Sequence, residues 1–288
     1  MSVTPRRSLL YMPGSNARAL EKARGLDADV LILDLEDAVS PGQKELARQQ
    51  VLSAVQAGGY GHRELVVRVN GFDTPWGRAD IEAFAHQPIS ALCLPKVDSA
   101  AEVHAVVQVL QQAGAASALK LWAMAETPRG ILNIDDVAGA DPRLDAIVLG
   151  TSDLAKDLRV PHTADRLGLL ASLSASVLAA RANGVDVFDG VHLDLEDDEG
   201  LARACRQGVE LGFDGKTLIH PRQIAATNEA FSPSAEAVSR AERIREAWKQ
   251  AEAEGKGVVL VDGKLVESLH VEEAMRVLAI HEALSARD

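Results

Sequence analysis

The sequence is poor in aromatic residues, in positive charge and in long apolar runs, and each shortage excludes a class of protein. Aromatics make up 3% of the 288 residues, and 42 acidic residues outnumber 30 lysines and arginines, for a net charge of -12. Non-specific nucleic-acid binding requires clustered cations, which so acidic a chain lacks. No apolar run approaches the roughly 18 residues of a membrane span, and the N-terminus has no apolar core of a signal peptide. We therefore expect a cytoplasmic protein that binds neither nucleic acid nor membrane.

Cysteine is also scarce, because the chain contains only Cys93 and Cys205. Cys93 lies within an apolar run and Cys205 within a helical pattern. Both are therefore expected to be buried thiols rather than partners in a disulfide.

The chain does contain eight short apolar runs that alternate with helical patterns. Most of the runs are continuous and rich in β-branched residues, which is typical of strands buried on both faces of a parallel sheet. Their starts recur at roughly 25–35 residues, the length of one βα unit. The predicted strands are residues 8–12, 29–36, 64–70, 91–96, 121–126, 146–150, 185–190 and 213–220.

Eight such units predict a (β/α)8 TIM barrel of the α/β class. The clearest predicted helices are residues 43–57, 101–113, 165–183 and 199–211. An open doubly wound sheet is the alternative. It is disfavoured because the segment MPGSN after the first strand does not match the nucleotide-binding pattern G-x-G-x-x-G.

The pattern changes after the eighth unit. A charged helix is predicted over residues 234–254, a hairpin that turns at Asp262 and Gly263 over residues 255–268, and a last helix over residues 271–284. We therefore predict a TIM-barrel catalytic domain at residues 1–232 and a helix–hairpin–helix extension at residues 233–288. This extension either packs on its own barrel or reaches a neighbouring subunit.

Polar side chains at the carboxyl ends of the predicted strands are the candidate site residues, because catalytic groups of TIM barrels lie at those ends. The candidates are Asp34, Glu36, Asp37, Arg68, Asn70, Lys96, Glu126, Asp153, Asp189 and His220.

Glu126 and Asp153 form a candidate metal site. They are separated by about one βα unit, so they are expected at the ends of neighbouring strands. Two carboxylates, with room for water and substrate oxygens, suit Mg²⁺, and no Cys or His cluster offers a zinc site. The alternative is helix capping, by Asp153 for residues 154–157 and by Thr127 for the helix that begins at Pro128.

Arg68 lies inside an apolar strand, and a buried guanidinium needs an anionic partner. That partner is either a substrate carboxylate, gripped through two hydrogen bonds, or a structural acid such as Asp34 or Glu36. Alternation places Asp34 and Glu36 on one face of the second strand. Asp37 is expected to cap or pair within the loop.

Two further strand-end residues have both a functional and a structural interpretation. Lys96 either binds an anion or forms a salt bridge with Glu126. His220 precedes Pro221 at the end of the last strand, where a single histidine is more often a packing or hydrogen-bonding residue than a base. No Ser-His-Asp arrangement and no G-x-S-x-G elbow is visible.

Seven segments resemble the citrate lyase beta subunit family, in chain order and across essentially the whole predicted barrel. This family lies within the HpcH/HpaI aldolase superfamily, close to the malyl-CoA and citramalyl-CoA lyases. The segments are RSLLYMPGSNARALEKA, DVLILDLEDAVSPGQKELAR, VVRVN, LCLPKV, AETPRGILN, GTSDLAKDL and DGKTLIHPRQI.

The resemblance implies a Mg²⁺-dependent lyase that breaks or forms a carbon–carbon bond next to an acyl-CoA thioester. The reaction would pass through an enolate and give an α-oxo acid and an acyl-CoA. Glu126 and Asp153 match the family's metal ligands, and Arg68 matches its substrate-binding arginine, which steadies the developing charge. Lys96 and Glu36 join Arg68 as expected substrate-binding residues.

The resemblance further places residues 11–15 and 215–221 near the CoA moiety, with Pro13, Gly14 and His220 as the expected CoA-binding residues. Stand-alone malyl-CoA-type lyases carry a C-terminal lid with an aspartate in a G-K-M-I-D-like segment, which reaches a neighbour's active site. Here the segment reads GKLVE, so Glu267 stands at the aspartate position and is the second catalytic candidate. Glutamate is one methylene longer, which puts proton transfer in the usual manner in doubt.

The lid favours a stand-alone homo-oligomer, a trimer or a hexamer. Two alternatives stay close to the family: a malyl-CoA-type thioesterase, or a citrate lyase beta subunit that acts on an acyl-carrier-protein thioester within a complex. A pyruvate-type aldolase without CoA and a regulatory subunit without activity of its own are more distant alternatives.

Overall fold

The computed structural model describes residues 4–287. Eight parallel strands form a closed barrel in chain order, and the eighth strand pairs with the first. The predicted TIM barrel is therefore confirmed. The strands are β1 (Ser8–Pro13), β2 (Val30–Asp34), β3 (Glu64–Arg68), β4 (Ala91–Leu94), β5 (Lys120–Ala125), β6 (Leu144–Leu149), β7 (Asp186–Asp189) and β8 (Gly215–Leu218).

Helices follow the strands, and the units of β5 and β6 each carry two. One predicted boundary was wrong: the helix expected from residue 165 begins at Leu170, after Arg166 takes a left-handed φ of 53°. The helices are α1 (Ala17–Ala23), α2 (Lys44–Ala57), α3 (Gly77–Phe84), α4 (Ala100–Gln112), α5 (Pro128–Leu132), α6 (Ile134–Ala138), α7 (Thr151–Leu158), α8 (Leu170–Asn183), α9 (Asp198–Leu211) and α10 (Ile224–Phe231).

One buried apolar cluster joins residues from β1 to β7. The Trp122 and Phe188 rings lie 5.1 Å apart in this cluster, and the Arg6 guanidinium lies over the Trp122 ring at 5.2 Å. Arg6 precedes β1, so this contact lies at the end of the barrel opposite the carboxyl ends of the strands. Cys93 and Cys205 are buried free thiols, as predicted.

A second compact unit comprises residues 231–287 together with residues 4 and 5. It contains α11 (Ala235–Ala253), β9 (Val259–Val261), β10 (Lys264–Val266) and α12 (Ser268–Ser285). The hairpin turns at Asp262 and Gly263, whose φ values of 52° and 74° are both positive, as a two-residue type I′ turn requires. The role of this unit as a lid remains a prediction. Within residues 4–287, no helix is both long and apolar enough to cross a bilayer.

Candidate active site

Arg68 and Asp34 end two neighbouring strands and face each other directly in the β2–β3 register. Arg68 Nε donates to Asp34 Oδ1 at 2.7 Å, and Nη2 donates to Oδ2 at 2.6 Å. The backbone N–H groups of Glu36 and Ala38 also donate to this carboxylate, at 2.8 and 3.0 Å. Asp34 therefore fixes both the arginine and the loop after β2, and the structural pair considered for Arg68 exists.

The third nitrogen of Arg68, Nη1, has weaker contacts. It lies 3.2 Å from Glu36 Oε2 and 3.4 Å from Asp37 Oδ2. Burial alone would lower the pKa of Arg68, but Asp34 raises it well above its usual value, so the guanidinium stays charged. Nη1 is thus the edge of a fixed cation that an incoming anion can compete for.

Tyr11, which the resemblance placed near the CoA moiety, also contacts Arg68, and this contact was not predicted. Its ring lies 4.7 Å from the Arg68 guanidinium carbon, a cation–π distance, and its hydroxyl contacts Met124 Sδ at 3.9 Å. The available signal was alternation along β1, which turns Leu9 and Tyr11 towards the barrel interior. The candidates from the residues alone were the polar strand ends, so the contact between Tyr11 and Arg68 was not predicted.

Lys44 supports the loop after β2 and was also missed, because on the sequence it is one of many helical lysines. Its side chain is buried, and Nζ donates to the backbone oxygens of Leu35 at 2.9 Å and Glu36 at 2.8 Å.

Burial raises the pKa of Glu36, although Arg68 opposes the shift. The loop therefore presents an acid that holds its proton more readily than a solvated glutamate.

Glu126 follows β5 directly and is buried against Gly150, the residue after β6. A Cβ at position 150 would lie 2.3 Å from Glu126 Cβ and from its Oε2, so only glycine leaves room for this carboxylate. The backbone N–H of Lys96 donates to Glu126 Oε1 at 2.8 Å. Burial raises the pKa of Glu126 to about 7, which marks a carboxylate whose charge is poorly compensated.

Asp153 lies in the first turn of α7, whose N-cap position is Gly150. The alternative that Asp153 itself caps this helix was therefore wrong, whereas Thr127 does cap α5 by accepting from the Gly130 N–H at 2.9 Å. A carboxylate in the first turn is favoured by the helix dipole. The Asp153 side chain is 34% exposed, so it is open to a ligand.

Lys96 connects these acids. Its ammonium lies 3.0 Å from Glu36 Oε1 and 3.4 Å from Asp153 Oδ2. The suggested salt bridge to Glu126 was wrong in detail, because Glu126 receives the Lys96 backbone N–H rather than the ammonium.

One cavity of about 340 Å³ brings Arg68, Glu126 and Asp153 together. It opens at the carboxyl ends of the strands, where TIM-barrel active sites lie. Its other lining residues are Tyr11, Asp34, Asp37, Ala38, Met124, Leu149, Gly150, Thr151, Ser152, Val191, Leu193, Thr217 and Ile219.

The two acids of this cavity suit a hard divalent cation. Among residues 4–287, no group of three or more His, Cys, Asp or Glu side chains is arranged to hold a metal ion. Mg²⁺ usually keeps several waters and takes one or two carboxylates plus substrate oxygens, so two acids are enough for it. The buried Glu126, with its raised pKa, is a carboxylate that a cation would stabilise. The residues present therefore fit magnesium.

Comparison with known proteins decides the family. A sequence profile of the HpcH/HpaI aldolase/citrate lyase family matches residues 7–221. The chain belongs to this family. Among its curated relatives, a (3S)-malyl-CoA thioesterase of Cereibacter sphaeroides is 49% identical over 282 residues, 98% of this chain and 96% of the relative.

Other relatives carry a different activity in their names. Citrate lyase subunit beta of Leuconostoc mesenteroides subsp. cremoris is 35% identical over 283 residues, which cover 96% of this chain and 94% of the relative. Among solved structures, CitE from Mycobacterium tuberculosis in complex with magnesium, acetoacetate and coenzyme A superposes with a TM-score of 0.75. It is 31% identical and covers 94% of this chain and 96% of its own.

Two other strand-end candidates, Asp189 and Asn70, are buried and bind other side chains of the protein. Asp189 is fully buried between Lys216 Nζ at 2.8 Å and Arg166 Nη1 at 2.6 Å. Asn70 donates through Nδ2 to Asp80 Oδ2 at 2.6 Å. Neither lines the cavity that contains Arg68. The expected substrate-binding residues Lys96 and Glu36 do not line it either; together with Asn70 they line a neighbouring cavity of about 570 Å³.

The predicted CoA-binding residues lie at the ends of β1 and β8. Pro13 is opposite Asp34 in the sheet register, and Gly14 donates its N–H to the backbone oxygen of Asp34 at 2.8 Å. A Cβ at Gly14 would lie 2.7 Å from that oxygen, so this glycine permits a close backbone approach. His220 is exposed, and its Nδ1 accepts from the Arg222 N–H at 3.2 Å. Their contact with CoA remains a prediction.

Glu267, the second catalytic candidate, lies in the unit formed by residues 231–287. It is exposed and immediately precedes α12, and its backbone N–H donates to His270 Nδ1 at 3.1 Å. Its role in proton transfer remains a prediction.

Proposed function

We propose that this protein is a Mg²⁺-dependent hydrolase of a malyl-CoA-type thioester, the CoA ester of a short hydroxy dicarboxylic acid. The observation that carries the proposal is that one cavity is lined by the fixed cation of Arg68 and by the carboxylates of Glu126 and Asp153. The 49% identity to (3S)-malyl-CoA thioesterases along nearly the whole chain supports the choice of reaction.

Arg68 would bind the free carboxylate of the substrate. Asp34 occupies Nε and Nη2, so Nη1 is the nitrogen that can turn to a ligand. The weakly held Asp37, whose side chain is 60% exposed, is the acid that a substrate carboxylate would displace from Nη1. A charge-assisted hydrogen bond from a preorganised guanidinium orients the acyl group without further ordering of the protein.

Glu126 and Asp153 would hold Mg²⁺, with the Lys96 N–H keeping the Glu126 carboxylate in place. When bound, the ion polarises the oxygen atoms that it contacts and so stabilises negative charge that develops during the reaction. In the hydrolysis, a water oxygen bonds to the thioester carbonyl carbon, the C–S bond breaks and the thiol takes up a proton. The products are the free hydroxy acid and CoA.

Carbon–carbon cleavage is the second candidate, because citrate lyase beta subunits are 35–36% identical over at least 95% of this chain. Here the bond between the hydroxyl-bearing carbon and the carbon next to the thioester breaks, the hydroxyl loses its proton to become the carbonyl of the oxo acid, and the thioester fragment takes up a proton at carbon. The products of malyl-CoA would be glyoxylate and acetyl-CoA. Arg68 would then stabilise the charge that develops as this bond breaks. A subunit that acts on an acyl-carrier-protein thioester within a complex belongs to the same alternative.

The proposal includes three expectations taken from the sequence. CoA lies along Pro13, Gly14 and His220, and Lys96 and Glu36 contact the acyl group. Residues 233–288 form a lid that supplies Glu267 to a neighbouring subunit of a cytoplasmic homo-oligomer. Mixing inactive Arg68→Ala and Glu267→Ala proteins tests the lid, because shared sites would restore part of the activity. Mixtures that stay inactive would contradict it.

Product analysis separates the two reactions. The purified protein is incubated with malyl-CoA and Mg²⁺, and the products are quantified by mass. Hydrolysis gives malate and free CoA in equal amounts, without glyoxylate. Glyoxylate and acetyl-CoA in equal amounts would favour carbon–carbon cleavage instead. No turnover of malyl-CoA would contradict both proposed reactions.

A further inference from the structure

Lys96 contacts both acids of the proposed metal site, through different groups. Its backbone N–H donates to Glu126 Oε1 at 2.8 Å, and its ammonium lies 3.4 Å from Asp153 Oδ2. One residue thus joins the end of β5 to the start of α7.

The backbone of Lys96 takes an unusual conformation to make these contacts. Its φ is 50°, in the left-handed region that L side chains rarely adopt. Glycine would adopt this φ more readily, yet the chain places a lysine here. Strained positions of this kind persist where the surrounding contacts hold them, and they are frequent at functional sites.

We propose that the Lys96 ammonium is a built-in counter-ion of the metal site, which pairs with Asp153 in the metal-free protein and releases this carboxylate when Mg²⁺ binds. The inference rests on the proposed function, since it assumes that Glu126 and Asp153 hold the ion. The ammonium lies at Oδ2, and Mg²⁺ bound to either oxygen of the same carboxylate would be close enough to the ammonium to repel it. Glu36 is the nearer partner of the ammonium, at 3.0 Å, so Lys96 keeps an ion pair after Asp153 is released.

The two groups of Lys96 therefore act on metal affinity in opposite directions. The backbone N–H positions Glu126 and favours metal binding, whereas the ammonium competes for Asp153 and opposes it. A side-chain substitution keeps the N–H and removes the competitor. The structure thus predicts that loss of this lysine side chain tightens Mg²⁺ binding.

Lys156 provides a matched control for the loss of one positive charge. It lies on α7, three residues after Asp153, and its side chain is 79% exposed. Its ion pair is with Asp157 at 3.9 Å. General electrostatic repulsion predicts similar gains in affinity from Lys96 and Lys156, whereas direct competition predicts a gain from Lys96 alone.

The test is calorimetric titration of Mg²⁺ into the full-length protein without substrate, at constant ionic strength. We expect Lys96→Met to lower the Mg²⁺ dissociation constant about two- to fivefold, the range of a partly exposed ion pair. Lys96→Gly should give the same gain and is safe for folding, because glycine tolerates the positive φ. Lys156→Met should change the constant by less than about 1.5-fold, as expected for a solvated charge.

Two results would overturn the inference. One is unchanged or weaker Mg²⁺ binding in both Lys96 variants, and the other is an equal gain in Lys156→Met. Titrating Glu126→Gln and Asp153→Asn in parallel separates this failure from that of the metal site. If these two variants bind Mg²⁺ as the wild type does, the metal site itself is wrong. If they lose binding while Lys96→Met gains nothing, only the role of Lys96 is wrong.

Discussion

Arg68 and Asp34 form a doubly hydrogen-bonded ion pair at the mouth of the barrel, with N–O distances of 2.7 and 2.6 Å. Both side chains are buried, and they come from neighbouring strand ends that face each other in register. The pair holds a positive charge at a fixed place and directs Nη1 away from Asp34. The proposed binding of a carboxylate depends on this arrangement.

Removal of Asp34 should destabilise the protein. Asp34→Ala leaves a buried guanidinium without its main counter-charge, and broken buried pairs cost about 3–5 kcal/mol. Glu36 and Asp37 remain near Nη1, so we expect a loss of about 3 kcal/mol in the free energy of unfolding, measured by urea unfolding. Asp37→Ala is the control: its side chain is 60% exposed, and it should cost less than about 1 kcal/mol. Equal losses in the two variants would contradict the assigned role of Asp34.

Replacement of Arg68 by lysine should impair turnover even though the charge is kept. An ammonium cannot bond Asp34 through two parallel N–H groups and also present a third nitrogen to the substrate. We expect kcat/KM to fall about 100-fold, as for loss of one preorganised donor. Arg78→Lys, at an exposed helical pair with Glu82, should leave it unchanged. Wild-type kinetics in Arg68→Lys would rule out the proposed binding of the substrate carboxylate by the guanidinium.

Gly150 should be as necessary for Mg²⁺ binding as Glu126, the acid that packs against it. In Gly150→Ala the new Cβ would lie 2.3 Å from Glu126, so the carboxylate must move. We expect weaker Mg²⁺ binding by calorimetry and a loss of stability of about 1–3 kcal/mol from overpacking. Gly42→Ala is the matched control, because a Cβ there meets nothing within 4 Å. An unchanged Mg²⁺ affinity in Gly150→Ala would mean that Glu126 is not a ligand.

The buried Asp189 should make stability depend on acid pH. Burial would raise its pKa, but Lys216 and Arg166 outweigh burial and lower it below the usual value. A lowered folded-state pKa contributes stability above the unfolded value of about 4, and this stability is lost as the pH falls through the folded-state pKa. Asp189→Asn should therefore be less stable at pH 7 by about 3–5 kcal/mol, because Lys216 loses its buried partner. The difference from wild type should shrink towards pH 3 in urea unfolding curves, and a constant difference would contradict the assignment.

Much of the fold followed from the sequence because its strands are buried on both faces and therefore read as unbroken apolar runs. All eight strands were located, although β2, β3, β4, β7 and β8 are shorter than the predicted runs. The helix before Leu170 was extended too far, because nothing in the residue types announces the left-handed turn at Arg166. The hairpin was predicted from Asp262 and Gly263, since their residue types suit positive φ.

Part of the site could be predicted because catalytic groups of TIM barrels lie at the carboxyl ends of the strands. Arg68, Glu126 and Asp153 do line one cavity. The contacts that organise them were not predictable. Lys96 reaches Glu126 through its backbone, and the Lys44 side chain turns back to bind two carbonyls of the loop that precedes its helix. Such contacts depend on three-dimensional geometry rather than on residue type, so the sequence pattern contains no signal for them.

The most direct test of the proposed function is the Mg²⁺ dependence of free-thiol release from malyl-CoA, measured for the wild type, Glu126→Gln and Asp153→Asn. We predict thiol release by the wild type that rises with Mg²⁺ and stops when EDTA is added in excess. Each variant should lose at least about 100-fold in rate while keeping its fold by circular dichroism. Thiol release that persists in EDTA, or wild-type rates in either variant, would contradict a magnesium-dependent thioesterase built on these two acids.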